Sequence, residues 1–230
     1  MRCIPRPVAA GLAIILAALA PAAADEPFAS VDLVWARPAT EDGAPRPCAR
    51  LLVLNLPRDW MVGDAAVAVF AAADAEAAIR TIVRALVPEL AAVLEVPSRV
   101  VDECRTPPAG PVAEVLGVVR ALQVDAGAGL IVAIGIGAAG PAVLAATREE
   151  VARRYLGPDG PRLAAAIALG GDGPAAYAIG ALPGALGWEM RAPLLCAALA
   201  SATSEVRPGA CLTGLGIDQP MARSDQRMRR

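Results

Sequence analysis

The segment IVAIGIGAAG, residues 131–140, decides how the chain is read. An unbroken apolar run ends in glycines spaced G-x-G-x-x-G, and the alanine-rich stretch PAVLAA follows. Together they predict a buried strand, a sharp glycine turn and a helix. Three uses of such a corner stand open: a phosphate-binding loop, the turn that presents a nucleophile, or close packing of a helix on a strand.

The flanking sequence sets that corner in a repeating pattern. SVDLVWAR (30–37) alternates as a half-buried strand does, and ARLLVLNLP carries an apolar run at 51–54 that predicts a strand buried on both faces. DAAVAVFAA predicts another buried strand. Asp74 is placed to cap a helix carrying Ile79, Ile82, Val83 and Leu86, interrupted at Pro88 and continuing over 90–94. PVAEVLGVVRALQ predicts a helix with Pro111 in its first turn. After the glycine corner, PAVLAATREEVARRYLG reads as one helix ended by Gly157, 163–169 as a strand, and APLLCAALA as the last strand. Continuous apolar strands alternating with helices predict an α/β three-layer sandwich with a mostly parallel central sheet.

The N-terminus reads as an export signal. Arg2 and Arg6 precede an apolar region at 8–20, and Ala22, Ala23 and Ala24 form a small-residue cleavage site before Asp25. The expected organisation is a signal peptide over 1–24, one domain over 25–217 and a disordered basic tail over 218–230. The expected location is periplasmic or secreted, with no membrane span once the signal is removed. Loss of the signal leaves Cys48, Cys104, Cys196 and Cys211, an even set that favours disulfides in an exported chain, with Cys48–Cys104 and Cys196–Cys211 the expected pairs. No C-x-x-C spacing supports a zinc site, and no metal or cofactor is expected.

Composition removes more chemistry than it supplies. The chain has no histidine, and all 21 basic residues are arginine. That removes the base of a Ser-His-Asp or Cys-His triad, the lysine of a P-loop and the lysine of a pyridoxal enzyme. Arginine stays protonated and supplies no base. The net charge of −2 carries no nucleic-acid signature.

Dinucleotide binding through Gly135, Gly137 and Gly140 requires an acidic residue about 20 residues further on. The first acid after a plausible strand is Asp172, well beyond that spacing. The elbow alignment fits better: Gly135, Ala139 and Gly140 fill the small-residue positions, and Gly137 falls where the nucleophile stands.

On these residues the chain resembles the α/β-hydrolase superfamily, particularly its dienelactone-hydrolase-like branch. GLIVAIGIGAAGPAVLAA resembles the family's strand, elbow and following helix. PRLAAAIALGG is similar to its next strand, and RAPLLCAALA to the strand that precedes its catalytic acid. LLVLNLPRDWMVGDAAVAVF resembles the earlier strands, whose loop contributes to the oxyanion hole. The resemblance implies a hydrolase-like fold with no catalytic residue carried over: Gly137 replaces Ser or Cys, Glu205 is a poor stand-in for the acid, and the histidine is absent. The implied protein is a degenerate, non-catalytic one that binds a small ligand or a protein partner. The candidate pocket combines Arg58, Asp59, Trp60 and Asp64 with Gly137 and Ala138. A rival reading is a hydrolase with a carboxylate/arginine site at Arg58, Asp59 and Asp64; Trp188, Glu189 and Arg191 are expected in a loop bordering the same cleft.

Overall fold

A computed structural model describes residues 30–41, 48–71, 75–89, 91–97, 110–170, 174–180 and 185–217. The elements run β1 (Ser30–Ala36), β2 (Arg50–Leu56), β3 (Ala65–Ala71), α1 (Glu76–Leu86), β4 (Ala92–Pro97), α2 (Pro111–Val124), β5 (Leu130–Ile136), α3 (Gly140–Ala146), α4 (Glu149–Leu156), β6 (Ala165–Leu169), β7 (Ala176–Ile179), α5 (Ala185–Ala202) and α6 (Pro208–Gly214). They form a three-layer α/β sandwich around one sheet, of strand order β1-β2-β4-β3-β5-β6-β7. The centre, β4-β3-β5-β6, is parallel. β2 runs antiparallel to both β1 and β4, and β7 runs antiparallel to β6.

Sequence explains the layering. Every residue of β3, AAVAVFA, is buried, because helices cover both faces of the sheet there. Val67, Val69, Val132 and Ile134 pack with Ile82, Leu86, Trp188 and Leu199 from α1 and α5. The alternate residues Ala66, Ala68, Phe70 and Ala133 pack with Val115, Val119, Leu122 and Val143 from α2 and α3. The connection from β3 steps outward to β4, and the one from β4 steps back past β3 to β5. Right-handed crossovers therefore place α1 and α2 on opposite faces. The connections out of β3 and β5 diverge, so a crevice opens between their C-terminal ends.

Several expectations are corrected. β2 is not buried on both faces: Leu52 and Leu54 are covered, but Leu51 and Val53 are exposed, opposite Trp35 and Leu33 of the edge strand. The helix expected over 90–94 is not formed: the chain makes a short 3-10 turn at Val87–Glu89, and Ala92, Val93 and Leu94 belong to β4, which lies in the sheet interior. The helix expected after the glycine corner is two helices. Thr147 turns its hydroxyl back onto the Leu144 carbonyl, 2.7 Å away, and Arg148 adopts an extended conformation (ψ 128°) that breaks the run. APLLCAALA is not a strand but the second half of α5, and Trp188, Glu189 and Arg191 belong to that helix rather than to a loop. The helix packs Leu195, Cys196 and Leu199 inward but is apolar on its exposed side as well, at Met190 and Leu194, and an apolar run of that length carries no period to separate it from a buried strand.

The disulfide Cys196–Cys211 joins α5 to α6 with a Cα–Cα separation of 5.8 Å. Cys48 is also disulfide-bonded; Cys104, its expected partner, lies outside the described residues, as do Asp74, Asp172, the 1–24 segment and the 218–230 tail. Among the described residues no helix is long and apolar enough to cross a membrane.

Candidate functional site

β5 delivers the chain to the crevice, and the turn that follows is tight. Gly137 takes φ +61°, a single 3-10 turn spans Gly137–Ala139, and Gly140 opens α3. The three glycines have different reasons to be glycine. A Cβ on Gly135 would lie 2.7 Å from the Ala139 carbonyl oxygen and 2.8 Å from Gly140 Cα, so the turn folds back against its own strand. A Cβ on Gly140 would stand 2.9 Å from Ala168 Cβ, so α3 can approach β6 closely only without one. At Gly137 a Cβ would meet nothing within 4 Å. Its positive φ favours glycine, but the space above it is open. This is the geometry of a strand-to-helix elbow whose apex points outward, with the apex side chain missing.

The groups beside the apex come from the end of β6 and the loop after α5. Gly170, with φ +75°, closes β6, and a Cβ there would lie 3.0 Å from Gly137 N. The Glu205 carboxylate accepts the Gly170 N–H, and the Glu205 N–H donates to Thr203 Oγ1 at 3.3 Å. Glu205 is thus tied to the residue that abuts the apex. Sequence reading offers Glu205 only as a poor stand-in for a catalytic acid; its bond to Gly170, 35 residues away, leaves no trace in spacing.

Two clefts flank the turn. One, of about 260 Å³, is lined by Ile82 of α1, Ile136, Leu169, Thr203 and Glu205. The other, of about 200 Å³, lies on the opposite face between Phe70, Val96, Pro111, Ala138 and Ala142. Glu114 borders the second and is held in a salt bridge by Arg50, whose Nη1 also donates to the Pro97 carbonyl at 3.1 Å.

The expected pocket does not assemble. β2 runs against the parallel strands, so the loop after it, which carries Arg58, Asp59, Trp60 and Asp64, lies at their N-terminal edge. Gly63 N donates to Gly127 O at 2.8 Å and Gly129 N to Asp64 O at 2.9 Å, which fixes that loop to the entrance of β5. Gly137 and Ala138 sit at the exit of the same seven-residue strand, about 20 Å away at the usual rise per residue. The loop is held internally: Trp60 Nε1 donates to Ala65 O at 2.8 Å, and Asp64 accepts from Met61 N at 2.9 Å and from Arg191 at 3.2 Å. Arg191 does border this loop, as expected, but its partner is Asp64. Arg58 and Asp59 are exposed. The rival carboxylate/arginine site is separated from the elbow by the same displacement.

Other candidates are accounted for structurally. Cys196 is in a disulfide and has no free thiolate. Glu149 and Arg153 pair on α4 at 3.2 Å, as their spacing predicts, but Arg154 pairs with Glu41 at 4.0 Å rather than with Glu150. Arg162 donates to both carboxylate oxygens of Glu149, at 2.8 and 3.1 Å. That hydrogen bonding, with the nearby positive charge, holds the Glu149 carboxyl below its usual range. Among the described residues no group of three or more His, Cys, Asp or Glu side chains is placed to hold a metal ion.

No family model matches the chain, and no curated protein matches it. Solved structures with a partly similar backbone course include the esterase domain of a Rhodothermus marinus protein, at 24% identity and TM-score 0.37, over 51% of this chain and 45% of that one. A mutant of an α/β-hydrolase enzyme from the metagenome of Lake Arreo, Spain, aligns at 16% identity and TM-score 0.37, over 58% of this chain and 42% of that one. A Pyrobaculum calidifontis esterase aligns at 15% identity and TM-score 0.35, over 51% and 38%. The chain spans less than half the length of each of the three.

Proposed function

We propose that this is an exported α/β-hydrolase-like protein that binds a ligand or partner at its glycine elbow without catalysing acyl transfer. One observation carries the reading: Gly137 occupies the apex of an elbow whose side-chain position is open, so the turn that elsewhere presents a nucleophile here presents a backbone. The absence of histidine supports it, because no imidazole exists to activate a hydroxyl or thiol. A cleft beside an open turn can hold a ligand, but nothing at the apex supplies a nucleophile.

Short p-nitrophenyl esters provide the test. Purified protein is expected to release p-nitrophenol at the rate of an equal concentration of its Glu205→Gln variant and of buffer. Turnover well above buffer that disappears in Glu205→Gln, while an exposed-face control such as Glu76→Gln keeps it, would overturn the non-catalytic reading in favour of a carboxylate-based hydrolase.

A further inference from the structure

We propose that the cleft beside the elbow takes a small amphiphile bearing a cationic amine, with Glu205 as its counter-ion. The inference rests on the binding role proposed above and supplies the chemistry of the ligand.

The walls and the mouth of this cleft differ in character. Ala77, Ile82, Ile136 and Leu169 give apolar walls; Thr203 and Glu205 bring polar groups from the segment after α5, and the Thr81 hydroxyl on the α1 wall is spent on the Ala77 carbonyl. Apolar walls with a few convergent polar groups are the usual composition of a small-molecule site. Its volume of about 260 Å³ limits the occupant to something smaller than a drug-sized ligand.

Glu205 is held without being neutralised. One carboxylate oxygen, Oε2, accepts the Gly170 N–H, a neutral donor that fixes the side chain in place and leaves its charge uncompensated. Among the described residues no arginine forms a salt bridge with it. The neighbouring cleft makes the contrast: its carboxylate, Glu114, is already paired with Arg50. Among the described residues Oε1 of Glu205 accepts no hydrogen bond, and Thr203 Oγ1, which accepts from Glu205 N at 3.3 Å, lines the same cleft.

An ammonium group suits this arrangement. It has three donors and no acceptor, so one donor can reach Glu205 Oε1 and another the second lone pair of Thr203 Oγ1. Hydrogen bonds between ions are shorter and stronger than neutral ones. An anionic head would be repelled by Glu205, and a neutral hydroxyl would gain only the weaker bond.

The probes are n-hexylammonium, 1-hexanol and hexanoate, titrated into the purified protein by calorimetry. n-Hexylammonium is expected to bind at least about tenfold more tightly than 1-hexanol, the margin of a charge-assisted over a neutral hydrogen bond, with hexanoate weakest. Glu205→Gln, whose amide oxygen keeps the acceptor for Gly170, is expected to bring n-hexylammonium down to the level of 1-hexanol while the circular dichroism spectrum is unchanged. Equal binding of n-hexylammonium and 1-hexanol to the unmodified protein would overturn the proposal without recourse to any variant. So would a folded Glu205→Gln protein that keeps the full preference. Loss of the amine preference with no ester turnover sinks the ligand assignment alone; ester turnover with the preference intact sinks the non-catalytic reading alone.

Discussion

The two ends of the parallel sheet divide what a working site would combine. At the C-terminal end stand the elbow, the crevice and, among the described residues, two clefts and one carboxylate, Glu205, that forms no salt bridge. At the N-terminal end stand Arg58, Asp59, Trp60, Asp64 and Arg191, with Trp60, Asp64 and Arg191 taken up in hydrogen bonds. Polar density in the sequence thus marks the end that is held together by its own bonds, and the open space lies where the sequence is nearly featureless. Charged residues close in sequence indicate a site only if the strand before them runs toward the end where the sheet opens.

That comparison can be broken by substitution, and the largest effect belongs to the elbow. Gly135→Val drives a side chain into the Ala139 carbonyl and is expected to cost more than about 3 kcal/mol, the upper range for overpacking, read by urea unfolding. Removing the Cys196–Cys211 bridge with a Cys196→Ser/Cys211→Ser pair comes next, at about 3 kcal/mol for a loop of this size, read as a lowered Tm. Gly137→Ser is expected to cost about 1–2 kcal/mol, for the left-handed backbone only, and to confer no esterase activity on a chain without histidine. If Gly137→Ser is as damaging as Gly135→Val, the apex is not open and the contrast between the glycines fails.

At the opposite end the effects are smaller. Asp64→Asn breaks a pair whose side chains are 29% and 33% exposed, so about 0.5–1 kcal/mol is expected, with no change in n-hexylammonium affinity. An effect on that affinity would mean that the two ends communicate. Glu149 gives the smallest. Its folded pKa is depressed, mainly by the Arg162 hydrogen bond, so its contribution is present above the unfolded carboxylate range and is lost as pH falls through the lower, folded value. Glu149→Gln is expected to flatten the acid limb of the stability–pH curve slightly, read by urea unfolding at a series of pH values.

The central architecture was legible because its signals are local. The 131–140 run, its glycines and Pro111 at the start of α2 each fix an element without reference to the rest of the chain. α5 was misread because its exposed face is apolar too: Pro193, Leu194 and Ala197 face solvent between the buried Ala192, Leu195, Cys196, Ala198 and Leu199, so the sequence lacks the helical period that the burial has. β7 was missed because AYAI is only four residues long and lies half-exposed at the sheet edge. The site fared worse for a different reason. Whether Arg58 can meet Gly137 depends on the direction of β2, and Glu205 reaches Gly170 across a separation of 35 residues. Neither relation leaves a trace in spacing. The 131–140 segment does make a strand, a tight turn and a helix, but the resemblance to hydrolases assigned RAPLLCAALA to a strand that the molecule builds as a helix.

The bridge between Cys196 and Cys211 encloses more than two helices. Thr203 and Glu205 both lie inside the covalent ring that it closes. A reductant would open that ring and free the segment holding the carboxylate against Gly170, so the mouth of the cleft would loosen before the sheet behind it did. On the proposed reading, the grip on an amine is then tied to the redox state of the surroundings through a sulfur–sulfur bond that lies outside the cleft lining.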